Sequence, residues 1–248
     1  MNRTDAALIS FQNIARDNAL AATFLETMCF LTDKAIPLEM MTLRHDDGSV
    51  ASGTALALDE AIGTLKAYGF VTERPAEKGS YDVHRLVQLA TRNWPRNQGT
   101  LAQRFESTVT GFRRVYPPVE EIKGCTQNIW TRYLPCLQKV LEFRDLGLDL
   151  AYIYELTYRA AKSNRILWGA QVALNYYQQA ATGFESIYGL ECRATLHAIS
   201  GHVHHLIAMS EWVRALDVCE RVHPPFSKVF GPFSSEIILV TLRYSNIL

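Results

Sequence analysis

Four histidines crowd into "HAISGHVHH", namely His197, His202, His204 and His205. His202 and His205 are three residues apart and could share one face of a helix, the spacing of two metal ligands. A structural zinc site needs four ligands with supporting hydrogen bonds, and no cysteine or acid stands at ligand spacing within that stretch. No metal is expected. A fifth histidine, His84, falls in "YDVHRLVQLATRNW", where a strand pattern passes into a helix pattern. A helix start favours anions and offers free N–H groups, so a histidine there could help to hold a phosphate or could serve as a local cap. The chain holds no G-x-S-x-G and no H-E-x-x-H, and the paired acids Glu120 and Glu121 are adjacent residues on a loop. No catalytic constellation stands out, and the expectation is a protein that is not an enzyme.

Composition narrows the classes. The 248 residues are 48% hydrophobic, enough for one large domain or two small ones. Basic and acidic residues number 25 each, which removes the usual electrostatic footprint of a nucleic-acid binder. No apolar run reaches the roughly 18 residues needed to span a bilayer. The N-terminus "MNRTDAALISFQNIARDN" carries acids and lacks the apolar core of a signal peptide. Cys29, Cys125, Cys136, Cys192 and Cys219 are odd in number and form no C-x-x-C pair. They read as reduced, mostly buried thiols of a cytoplasmic protein.

Helical periodicity organises the chain. "ALISFQNIARDN" places Leu8, Phe11, Ile14 and Ala15 on one face, and "NALAATFLETMCFL" does so for Leu20, Phe24, Leu25, Met28 and Leu31. A short helix is expected to restart at Pro37, a favoured first-turn residue. "TALALDEAIGTLKAYGF" reads as a helix with Leu58, Ile62, Leu65 and Tyr68 inward. "FVTER" and "SYDV" read as strands joined by the turn "PAEKG", and the stretch around His84 supplies a final helix. Three helices, a hairpin and a helix are the layout of a winged-helix domain, here residues 1–97 with a preceding helix. "WPRNQGT", from Trp94 to Thr100, is the expected boundary. A linking helical pair is expected over residues 98–147.

Residues 148–248 repeat. "FESIYG" from Phe184 recurs as "FSKVFG" from Phe226, and Ala173 and Leu174 recur as Ala215 and Leu216, each at an offset of 42. Such a period marks a solenoid of helical pairs. Helices are expected near Asp149–Lys162, Trp168–Ser186, Cys192–Ala208 and Glu211–Val229, with a last one from Ser234 onward. The fold class is therefore mostly α, a winged-helix domain followed by an α-solenoid. The final stretch "SSEIILVTLRYSNIL" stops before a partner helix begins and carries no polar cap. The expectation is a chain incomplete at both ends that either self-associates through this last helix or lets it fray.

"NALAATFLETMCFLTDKAIPLEMM", "LDEAIGTLKAYGFVTE" and "YDVHRLVQLATRNW" resemble the winged-helix segment of STAND-type signalling NTPases, most nearly the NB-ARC–tetratricopeptide proteins of filamentous fungi. "TLHAISGHVHHLIAMSEWVRALDVCE" resembles the tetratricopeptide (TPR) repeats of kinesin light chain. The resemblance implies that His84, preceded by Val83, contacts the phosphate of bound ADP; the next motif residue, often Asp in relatives, is Arg85 here. It also implies a concave peptide groove lined by Glu155, Tyr158, Lys162 and Arg165 in one repeat and His197, Ser200 and His204 in the next. The chain has no G-x-x-x-x-G-K-[ST], so no cofactor is expected unless a nucleotide domain supplies ADP or ATP.

The function expected is that of a non-enzymatic regulatory and scaffold fragment of a STAND signalling protein, with a protein or peptide partner in the groove. One rival is a stand-alone TPR adaptor that binds a peptide. Another is a winged-helix DNA-binding regulator. Its third helix would carry Asp59 and Glu60 against the single Lys66, whereas phosphate contact needs several basic residues.

Overall fold

The computed structural model describes residues 3–41, 55–117, 124–146 and 150–231. Among them the chain is mostly helical, with eleven α-helices and three short strands. It divides into two compact units, Met1–Pro117 with Asn128–Asp149, and Pro118–Gln127 with Leu150–Leu248. The stretch Trp94–Thr100 lies within the first unit.

In the first unit, α1 (Arg3–Asp17) and α2 (Ala19–Met28) meet at Asn18. Its side-chain oxygen accepts the Ala21 N–H at 3.0 Å, an N-cap that starts α2 on its own terms. Phe24, Leu25, Met28 and Leu31 are buried, as their spacing predicts. The chain continues through β1 (Ile36–Pro37), α3 (Leu38–Met41), α4 (Ala55–Ala67), β2 (Val71–Glu73), β3 (Ser80–Val83), α5 (Arg85–Asn97), α6 (Leu101–Val115) and α7 (Gly124–Leu141). The sheet has the order β1-β3-β2, all antiparallel, with Ile36 opposite Tyr81 and Val71 opposite Val83.

Two expectations are corrected here. Pro37 closes a strand and the helix starts one residue later, at Leu38. Proline fits because β1 is an edge strand, where a missing donor costs no ladder bond. Tyr68 does not point inward; it is 41% exposed. The helix stops at Ala67, Gly69 takes a left-handed φ of 68°, and the Phe70 N–H reaches back to the Leu65 carbonyl at 2.9 Å. That closure carries Phe70 into the interior in place of Tyr68. The core of the unit also buries Phe11, Phe30, Phe105, Phe112, Tyr116 and Trp130, with the Phe30 ring 5.4 Å from Phe105 and 5.6 Å from Phe143.

The second unit contains α8 (Leu150–Leu167), α9 (Ala170–Tyr188), α10 (Arg193–Ala208) and α11 (Trp212–Phe230), joined by turns of two to four residues. Turns so short make neighbours antiparallel. The 42-residue offset reappears in three dimensions. Helices α9 and α11 are both 19 residues long, start at 170 and 212, and end on left-handed Gly189 and Gly231. Phe184 and Phe226 are both buried, as are Ala173 and Ala215. The expected helix from Ser234 lies outside the described residues.

Candidate functional site

Strand β3 hands over to α5 at His84, which has extended backbone angles and caps the helix. Its Nδ1 accepts the Leu86 N–H at 3.1 Å, and its side chain is exposed. The rest of the motif serves the end of α2. Gln88 donates from Nε2 toward the carbonyls of Thr32 at 2.9 Å, Met28 at 3.0 Å and Leu31 at 3.3 Å. One turn on, Arg92 donates to the Cys29 carbonyl and lays its guanidinium 4.4 Å over the Phe143 ring. The last carbonyls of a helix lack intrahelical partners, and these two side chains supply them. Asp82 accepts the Ala35 N–H at 2.8 Å, and Ala35 holds a left-handed φ of 53°. The Val83 N–H meets the Asp33 carbonyl at 2.8 Å. From Asp82 to Arg92, therefore, the motif pins down the segment that follows α2. Sequence reasoning named His84 and passed over Gln88 and Arg92. The available signal was a polar pair four residues apart on the face that also carries Thr91.

In the second unit, Glu155, Tyr158 and Lys162 stand 42 residues ahead of His197, Ser200 and His204, so the two rows hold equivalent repeat positions. Arg165, His197 and His204 are exposed, while Glu155, Tyr158, Lys162 and Ser200 are half-buried. Glu155 pairs with Arg159. The Lys162 ammonium sits 4.7 Å over the Tyr158 ring. The Tyr158 ring meets Tyr177 edge-on at 5.8 Å and Phe184 at 6.3 Å. Burial pushes the Tyr177 phenol up to about 12, opposed by the charge of Arg165 and its hydrogen bond to that group. Lys162 and Arg165 thus flank an aromatic cluster formed by Tyr158 and Tyr177. On α10, His197 packs against Phe230 with rings 5.3 Å apart, and His204 lies 5.2 Å from His205. Tyr158 packs through Phe184 of α9 on an apolar cluster that also includes Ala198 and Ile199 of α10.

The histidine group separates into two kinds. His197 and His204 face outward, whereas His202 and His205 are 7% and 1% exposed. His205 is anchored by Nδ1, 2.7 Å from the Gly201 carbonyl, and its ring stacks on Tyr177 at 4.7 Å. Burial pushes His202 down to about 4. Among the described residues no group of three or more His, Cys, Asp or Glu side chains is arranged to hold a metal ion. Cys29, Cys136 and Cys219 are buried free thiols and Cys192 is half-exposed. Burial raises the Cys29 thiol to about 12, which removes it as a nucleophile. On α4, Lys66 is taken up by Glu73 at 2.5 Å and lies over the Tyr81 ring. No described helix is long and apolar enough to cross a membrane.

No protein-family model matches the chain, and neither does any solved structure. A nucleotide-binding leucine-rich repeat (NLR)-like protein of Hyaloscypha variabilis is 39% identical over 144 residues, which are 57% of this chain and 13% of that protein. The chain is thus similar to a segment of an NLR-like protein, which supports a STAND-type relation, and it spans only a small part of that relative's length.

Proposed function

We propose that this chain is a regulatory and scaffold segment of a STAND-type signalling protein, working through protein–protein contact rather than catalysis. The first unit acts as a winged-helix module, its hairpin and α5 wrapped around the end of α2. The second acts as a pair of TPR-like hairpins whose equivalent positions present a polar strip. The observation that carries the reading is the repeat equivalence of Glu155, Tyr158 and Lys162 with His197, Ser200 and His204, on two helices that both pack against α9. The likeness to an NLR-like protein supports the signalling context.

The chemistry of the strip favours an anionic partner segment. Lys162 presents its ammonium over the Tyr158 ring and Arg165 its guanidinium beside the Tyr177 phenol group, and each charge-assisted contact to a carboxylate or phosphate contributes about 1.5–3 kcal/mol. Pull-down with the intact chain tests this. The Lys162→Glu/Arg165→Glu double variant should lose the partner that the wild type captures. Capture that survives the double variant moves the binding surface elsewhere.

A further inference from the structure

His202 lies in α10 on the side turned to α11. The ring is 7% exposed, and its Nε2 is buried with no hydrogen-bond partner. The charges that act on it are Arg214 and Arg221 of α11, Glu211 at its N-cap and His205 from its own helix. Those acids and bases are already engaged. Arg214 pairs with Glu211, and Arg221 pairs with Glu185 of α9 at 2.5 Å. From α9 the Tyr177 ring covers His205, not His202. A proton on His202 would thus add a third cation to a seam in which two arginines already hold the carboxylates. Buried without a hydrogen-bond partner at Nε2, the ring has nothing there to solvate a charge.

We propose that His202 makes the α10–α11 seam an acid-sensitive latch, whose protonation releases α11 from the rest of the second unit. The sign follows from which form the fold prefers. The folded ring is held neutral, with its titration depressed from 6.5 to about 4, mainly by burial. The unfolded or released ring takes up its proton near 6.5. The contribution of the latch is therefore whole above pH 6.5 and is lost as pH falls from there toward 4. Helices α8 and α9 hold no such group in their shared interface among the described residues, so they stay packed over the same range.

The test is hydrogen exchange on the intact chain at pH 7 and pH 4.5, corrected for intrinsic rates, with the His202→Leu variant alongside. Between the two pH values the wild type should lose roughly 50- to 100-fold of its protection in α11. Protection in α8 and α9 should hold, and His202→Leu should keep α11 protected at pH 4.5. The ring proton of His202, followed by NMR in the wild type, should titrate well below 6, while the loss in α11 should set in below pH 6.5 and level off near that titration. The proposal fails if that ring titrates near 6.5, if α11 loses no protection, or if α8 and α9 open together with it. It also fails if His202→Leu folds and loses α11 at pH 4.5 as the wild type does.

Discussion

The ring of Tyr177 occupies the space that a side chain at Gly201 would need: a Cβ there would stand 2.3 Å from a ring carbon. The same relation ties Tyr154 to Gly183 one helix earlier. Each tyrosine of one helix thus enters a notch that a glycine opens in the next, and α8, α9 and α10 are stacked by one repeated device. Neither glycine needs left-handed backbone, so the reason for the residue is close approach.

Gly201→Ala and Gly183→Ala should each destabilise the second unit by about 1–3 kcal/mol, the range of core overpacking. Urea unfolding of each variant checks this. Tyr177→Leu combined with Gly201→Ala should recover much of the loss, because the ring is what the methyl group meets.

Gln88→Ala should lower the stability of the first unit by about 1–3 kcal/mol, the cost of leaving buried carbonyls without their donor. The denaturation midpoint measures it. Hydrogen exchange should place the loosening at the segment after α2, from Phe30 to Ala35, and not in the second unit.

His84→Ala should cost about 0.5–2 kcal/mol through loss of the N-cap, and His84→Asn should restore it, since asparagine offers an acceptor at the same place. A stability unchanged by His84→Ala would show that the Leu86 contact contributes nothing to the helix.

Calorimetry with ADP and the intact chain should show no micromolar binding, because the sequence has no P-loop and an exposed helix cap is a weak anion site by itself. Micromolar affinity that disappears in His84→Ala would make His84 a phosphate ligand in this chain without outside help.

Periodicity carried the helices of the second unit well. The 42-residue offset of Phe184 and Phe226 translates into two helices of equal length that end on equivalent glycines. It said less about ends, since α8 runs to Leu167 where the apolar pattern suggested Lys162. Strand β1 was hidden because two residues, one of them Pro37, carry no alternation to read. The inward turn of Phe70 depended on the left-handed closure at Gly69, which the apolar count over Tyr68 ignored. The histidine cluster showed that ionisable groups were present but not which of them point inward. Burial of His202 and His205 comes from packing against α11 and α9, and no spacing rule contains that. Gln88 and Arg92 were in view within the quoted motif, yet their targets, the carbonyls after α2, are more than fifty residues away in sequence.

We propose that the second unit binds an anionic protein segment through the strip around Lys162 and Arg165. Fluorescence anisotropy against two peptide pools of equal length, one rich in Asp, Glu and phosphoserine and one rich in Lys, tests it most directly. The wild type should bind the acidic pool saturably, more weakly at higher salt. The Lys162→Glu/Arg165→Glu variant should bind it on the order of 100-fold more weakly, as expected for two charge-assisted contacts. Equal binding of both pools, or acidic-pool binding unchanged in a folded double variant, would contradict the account.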